Sequence, residues 1–152
     1  MPLLDILIPT YQRKTGLAIT LACLLGQTFR EFDVIISDQT ENDDYVNSTE
    51  LRTIRRAFEI RGRTVRVFKH FPRRGIAEQR QFLLSQSSAK YVQYIDDDLL
   101  LEPEVVARML RVIQEEKCGF VGCCAIGLSY LHDVRPSQHN LEPWEGPVQP
   151  EP

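Results

Sequence analysis

Three carboxylates stand in a row at Asp96-Asp97-Asp98, at the end of an apolar run from Tyr91 to Ile95. Like charges this close repel, and burial raises at least one carboxyl pKa unless a cation sits nearby. Hard divalent cations such as Mg²⁺ or Mn²⁺ take oxygen ligands, and a phosphate-bearing substrate often completes their shell. The run therefore suits a metal–phosphate site at the carboxyl end of a strand. It equally suits an acidic turn capping the next helix, because Asp is a common turn residue. A second cluster is basic: from Arg52 to Arg80 there are ten Lys or Arg residues against two Glu. Such a stretch either attracts an anionic substrate or membrane phosphates, or only solvates helix and strand faces.

The elements that must position these groups are read from periodicity. Leu3 to Pro9 is a short apolar run ended by proline, a buried strand of a parallel sheet. Leu17, Leu21, Leu24 and Leu25 share one helix face, and Gly26 stops that helix. Asp33 to Ser37 is a second buried strand, ending at Asp38. Thr49 to Ile60 is a helix with Leu51, Ile54, Ala57 and Phe58 as its stripe. Thr64 to Phe68 is a third strand, Ile76 to Ser85 a helix, and Tyr91 to Ile95 the fourth strand. Glu102 to Glu116 is a helix with Pro103 in its first turn, and Gly119 to Ile126 a fifth strand. This alternation means a mostly parallel sheet covered by helices, a three-layer α/β/α architecture.

In open sheets of this kind, ligands bind beyond the carboxyl ends of the strands. The polar residues expected there form one set. The first strand delivers Thr10, Tyr11 and Arg13, and the second Asp38. The loop before the third helix delivers Arg73, Arg74 and Gly75, and the fourth strand Asp96, Asp97 and Asp98. Such a rim suits a nucleotide. A carboxylate such as Asp38 accepts from a base N–H, and Tyr11 packs on a base or sugar. Arg13 and Arg74 pair with phosphates, and a metal at Asp96–Asp98 neutralises a diphosphate. Arg80 falls on or beside the sheet-facing stripe of its helix, where a guanidinium needs an anionic partner. The acidic run is the expected one.

Other classes are excluded. The chain's 152 residues suffice for one domain with a real core. A net charge of −3 argues against bulk nucleic-acid binding, and no apolar run approaches a membrane span. Met1-Pro2-Leu3-Leu4-Asp5 has no signal-peptide pattern, so a cytoplasmic protein is expected, with peripheral membrane contact left open. The four cysteines, Cys23, Cys118, Cys123 and Cys124, have no zinc spacing and are expected reduced and mostly buried. There is no G-x-G-x-x-G after the first strand, no Walker A sequence and no G-x-S-x-G.

Taken together, Ile8-Pro9-Thr10-Tyr11-Gln12-Arg13, Val34-Ile35-Ile36-Ser37-Asp38, Arg74-Gly75-Ile76-Ala77-Glu78-Gln79-Arg80-Gln81 and Tyr94-Ile95-Asp96-Asp97-Asp98 resemble the family 2 glycosyltransferases. The resemblance covers about residues 3 to 128. It implies a Rossmann-like nucleotide-diphospho-sugar transferase fold, apparently truncated. Pro9, Thr10 and Tyr11 would line the nucleoside pocket, with Arg13 nearby, and Asp38 would contact the base, usually uracil. Arg80 matches the arginine of the third-helix motif. Asp96 and Asp98 match the Asp-x-Asp motif, the first toward ribose or metal and the second on the metal, with Asp97 at the variable middle position. The family usually has Asn where Arg73 or Arg74 stands, and Asn where Gln81 stands.

The resemblance also implies what to look for downstream. Inverting members take their general base from a later acidic motif. Here Asp133, Glu142 and Glu145 lie in a proline-rich tail. The expected organisation is a nucleotide-sugar-binding domain at 1–130, then a tail, or the start of an acceptor-binding half, at 131–152. The expected function is Mg²⁺- or Mn²⁺-assisted binding of a nucleotide-diphospho-sugar, a UDP-sugar first, for inverting transfer to a hydroxyl acceptor. Two alternatives stand beside it. One is a nucleotide-sugar-binding fragment that transfers nothing. The other is a sugar-phosphate nucleotidyltransferase, which would need a Gly-rich basic loop where Thr10–Gly16 has only Gly16.

Overall fold

The computed structural model describes residues 2–41 and 45–123. Its contacts divide the chain after Val121, and the unit Met1–Val121 carries every helix and strand named below. Of the unit Gly122–Pro152, only Gly122 and Cys123 are among the described residues.

Four parallel strands, β1 (Leu4–Thr10), β2 (Phe32–Asp38), β3 (Val65–Lys69) and β4 (Tyr91–Tyr94), form a sheet in the order β3-β2-β1-β4. β1 is central and every one of its residues is buried, which is why its sequence is mostly apolar; the buried exception within it, Asp5, accepts from Ser87 Oγ at 2.7 Å and pairs with Arg66 at 3.6 Å. Its register sets Thr10 opposite Asp38 on one side and Leu7 opposite Tyr94 on the other. Four helices connect and cover the strands: α1 (Lys14–Leu25), α2 (Thr49–Ile60), α3 (Ile76–Ser85) and α4 (Val105–Glu115). Right-handed crossovers decide the layers. α1 and α2 carry the chain outward across the sheet and share one face. α3 carries it back from β3 to β4, and so lies on the other.

Strand alternation sorts the core accordingly. Ile6, Ile8, Val34 and Ile36 point to one face, where they meet Leu17, Leu21 and Leu24 of α1, Leu51 and Phe58 of α2, and Val106 of α4. Leu7 and Ile35 point the other way, against Leu83 of α3 and Phe68. Each fully buried side chain of this size contributes about 1.5–3 kcal/mol of transfer free energy. Three layers result, as the element order predicts.

Three sequence-based expectations need correction. No strand forms over residues 119–123: Phe120 is 88% exposed, and two glycines flank it where chain entropy opposes a strand. Residues 124–126 lie outside the described residues. Among the described residues β4 is accordingly an edge strand, with Val92 and Tyr94 partly exposed. Helix α4 begins at Val105, three residues after Glu102. The carbonyls of Glu102 and Pro103 are taken by Gln27 Nε2 (2.8 Å) and Thr28 N (2.8 Å), and Gln27 Oε1 accepts from Val106 N (3.2 Å). One buried glutamine from the α1–β2 loop thus supplies this helix start with its cap. Finally, Cys118 and Cys123 are exposed and Cys23 is half-buried, because the first two follow the last turn of α4 where no core remains to cover them. Cys124 lies outside the described residues.

Candidate functional site

The sheet order reverses at β1: α1 leaves its carboxyl end toward one face and α3 returns on the other. A crevice opens at such a switch point. Here it is a depression of about 300 Å³. Pro9, Thr10, Tyr11 and Arg13 line it from β1 and the turn that follows, Ile76 and Gln79 from the start of α3, and Asp96, Asp97 and Asp98 from the loop after β4.

The three carboxylates do not act alike. Asp97 turns inward, is 8% exposed, and accepts a hydrogen bond from Thr10 Oγ1 at 2.6 Å. Burial pushes its carboxyl above the usual range, while the Thr10 bond and the charge of Arg13 pull it back. Asp96 and Asp98 point out to the mouth. Arg80 reaches Asp96 at 3.0 Å, and Arg13 forms a short ion pair with Asp98. All four of these side chains are about half exposed, so the two pairs contribute little to stability and leave both carboxylates accessible.

The acidic loop is fixed from below. Thr20 of α1 accepts from Leu99 N (2.9 Å) and donates to Leu99 O (3.1 Å). A Cβ on Gly16 would stand 2.8 Å from the Asp97 carbonyl oxygen, closer than side chains are found to a backbone atom. Gly16→Ala should therefore lower stability by about 1–3 kcal/mol in urea unfolding, as overpacking does. On helix propensity alone the same change would stabilise by up to about 1 kcal/mol, so the sign of the shift tests the close approach.

Asp97 carries a pH prediction with its sign worked out. A carboxyl whose folded pKa is raised stabilises the fold most below its unfolded value near about 4, and loses that contribution as pH rises through the folded value. Asp97→Asn keeps an acceptor for Thr10 without the buried charge. The variant should gain stability over wild type at pH 7, and the gain should shrink toward pH 4. Urea midpoints at both pH values check this, and a gain independent of pH would contradict it.

Neighbouring residues shape the rest of the rim. Gln12 sits in the left-handed region (φ 55°), with its N–H donating to Thr40 Oγ1 at 2.9 Å, and this tight turn aims Arg13 toward Asp98. Gly75, at φ 106°, precedes α3 in a conformation that L side chains rarely adopt. The Arg73 guanidinium carbon sits over the Tyr11 ring, 3.6 Å from its centroid. Arg74 is exposed and is not among the residues lining the depression.

Asp38 lies beneath the rim. It is fully buried, with Oδ1 accepting from Thr40 N (2.9 Å) and Oδ2 from Lys69 Nζ (2.6 Å). Lys69 also donates to Thr40 O (2.9 Å), which ties the ends of β2 and β3. Asp38 is thus a buried anchor that does not line the depression.

Two structural residues were not singled out from the sequence. Gln79, almost fully buried, donates to Ser37 O (2.7 Å) and Thr10 O (3.4 Å), stapling α3 to the ends of β1 and β2. A polar residue one turn after Ile76, on the sheet side of α3, was the available signal. For Lys69 the signal was parity: Val65, Val67 and Lys69 share one side of β3.

Among the described residues, no group of three or more His, Cys, Asp or Glu side chains is arranged to hold a metal ion. The outward carboxylates number two, which leaves most of a shell to other ligands.

Comparison with known proteins gives a consistent picture. The Glycosyl transferase family 2 model matches residues 5–147. Validoxylamine A glucosyltransferase of Streptomyces hygroscopicus is 30% identical over 148 residues, covering 93% of this chain and 32% of that enzyme. A mannosyltransferase of Pyrobaculum calidifontis, solved with GDP-Man and Mn²⁺, superposes with a TM-score of 0.64 at 17% identity, over 74% of this chain and 32% of its own. A fragment of S. aureus TarS in complex with UDP superposes with a TM-score of 0.62 at 18% identity, over 80% of this chain and 38% of its own. The chain spans about a third of the length of these relatives. The solved structures share its fold, and the family model covers nearly all of its length: this chain belongs to glycosyl transferase family 2.

Proposed function

We propose that the depression binds the nucleoside diphosphate of a sugar donor, a UDP-sugar first, together with Mg²⁺ or Mn²⁺. The sugar would then pass to an acceptor hydroxyl by direct displacement with inversion. The acceptor oxygen would bond to the anomeric carbon as its bond to the diphosphate breaks. The observation that carries this reading is the arrangement at one mouth of two outward carboxylates, each held by an arginine.

The residues suit the parts of such a donor. Tyr11 offers a ring face to a base or ribose, and Pro9 and Thr10 form the adjacent wall. Arg13 and Arg80 can leave their carboxylates for phosphate oxygens, because both pairs are solvated and weak. The first turn of α3, opened by Gly75 and Ile76, adds the positive end of a helix dipole at the same depression. Asp38, supported by Lys69, holds the β2 end against which the base would lie. The metal fits this donor set as hard oxygen ligands, Asp96 and Asp98, with donor phosphate oxygens as the remainder. When bound, it would neutralise charge gathering on the departing diphosphate. Support from relatives is of the same kind: UDP and GDP-Man with Mn²⁺ occupy the two solved structures compared above.

A second reading has its own observation. Among the described residues, Asp96, Asp97 and Asp98 are the sole acidic groups lining the depression, and no histidine lines it. The base that takes the acceptor proton would not come from these residues, and on this reading the described residues would bind donor without transferring it. Calorimetric titration with UDP, with and without Mn²⁺, tests the first reading; binding tightened by Mn²⁺ is expected, and no UDP binding in either condition would reject it. A UDP-sugar turnover assay separates the two. Little transfer by this chain alone is expected, and robust transfer would show that a base is present.

A further inference from the structure

Away from the rim, the outer face of α2 gathers positive charge. Arg52, Arg55 and Arg56 line one broad, shallow depression with Ala57 and Ile60. Arg56 pairs with Glu59 at 2.9 Å, and no ion pair engages Arg52 or Arg55 among the described residues. The patch continues past the helix end. Arg61 donates to Leu25 O (2.8 Å) and stays exposed, as does Arg30. Both lie near enough to buried Arg63 that their charges, after its burial, lower its pKa. The exposed acidic residues of α2 are Glu59 and Glu50, the latter paired with Lys14 at 3.1 Å, and Glu31 stands beside Arg30. Every cation here is an arginine, whose planar fork matches phosphate oxygens bidentately. Ile60, at the end of the helix, is 72% exposed among them.

We propose that this face of α2, with Arg30 and Arg61 beyond it, docks on the phosphates of an anionic lipid bilayer. A guanidinium cluster around a protruding aliphatic side chain suits the headgroup boundary, where charge and a shallow apolar anchor act together. A nucleic acid suits it less. No aromatic side chain lines the depression to stack a base, and the chain's net charge of −3 opposes a long polyanion outside the patch. The site is compatible with donor binding. α2 runs antiparallel to the strands, so Ile60 and Arg61 lie at the end of the sheet away from the rim, which stays open.

The test is sedimentation with phosphatidylcholine vesicles prepared with and without phosphatidylglycerol, at low and moderate salt. The chain should partition onto the anionic vesicles, more strongly at low salt. The combined variant Arg52→Glu, Arg55→Glu, Arg56→Glu should partition at least about tenfold more weakly. Its circular dichroism should match wild type, and so should its UDP affinity, since none of the three touches the rim. Equal partition onto both vesicle types, no partition, or unchanged partition of the variant would overturn the proposal. So would retention on duplex RNA in the absence of any lipid partition.

Discussion

Replacing Asp96 and Asp98 together by alanine should abolish the tightening of UDP binding by Mn²⁺. The expected loss of affinity in Mn²⁺ is about 100-fold, or about 2.8 kcal/mol. Without metal the sign should reverse. In the metal-free protein these carboxylates occupy Arg80 and Arg13, and a diphosphate must displace them. Removing both releases the arginines and lowers the negative potential at the mouth, so metal-free UDP should bind somewhat more tightly than to wild type. Because the two carboxylates are solvated, the melting temperature should change little. Calorimetry in both conditions reads the two effects separately. An equal loss with and without Mn²⁺ would mean that the carboxylates serve the donor directly and hold no metal.

The second large effect lies under the rim. Lys69→Met leaves the carboxylate of Asp38 buried without its ammonium partner, while the bond from Thr40 N remains. Breaking a buried pair from one side costs several kcal/mol, because the remaining charge stays desolvated without its countercharge. Lys69 is itself partly solvated, which places the expected loss near about 3 kcal/mol. Asp38→Asn added to Lys69→Met should recover most of it, since a neutral amide needs no countercharge. A double-mutant cycle by urea unfolding measures the coupling. Additive losses would show that the two residues act independently. UDP titration of folded Asp38→Asn bears on the base contact separately: an affinity well below wild type would mean that Asp38 touches the base.

Much of this architecture was legible because it is written in short-range pattern. β1 and β2 are buried almost throughout, so the stretches Ile6–Pro9 and Val34–Ile36 are continuously apolar. α2 carries a clean apolar stripe, and the predicted limits of α2 and α3 coincide with the observed ones. Where the sequence misled, the cause was a long-range contact. The start of α4 is set by Gln27, which lies some eighty positions earlier, so nothing local marks it. The run from Gly119 has strand-like composition, yet residues 119–123 pair with no strand. Composition does not say whether an edge will be paired.

The site divides in the same way. That the first-strand turn and the acidic triplet would meet followed from topology alone, because carboxyl ends of parallel strands share one side. How the triplet divides did not. Alternation along an irregular loop is not readable, and the inward turn of Asp97 depends on Thr10 standing across the crevice. The sequence places Asp38 at the carboxyl end of β2 as an acceptor for a base N–H, but not its depth; the signal for its burial is Lys69, a charge on the inward parity of the neighbouring strand.

The central claim is that a divalent ion and a nucleoside diphosphate meet between the turn after β1 and the loop after β4. Paramagnetic broadening of backbone amide signals by sub-stoichiometric Mn²⁺, recorded with and without UDP, tests it most directly. With UDP present, broadening should centre on Asp96, Asp97 and Asp98, extend to Thr10, Gly16 and Ile76, and spare Arg55 to Ile60 on the outer face of α2. Broadening centred elsewhere, or a pattern indifferent to UDP, would contradict the account.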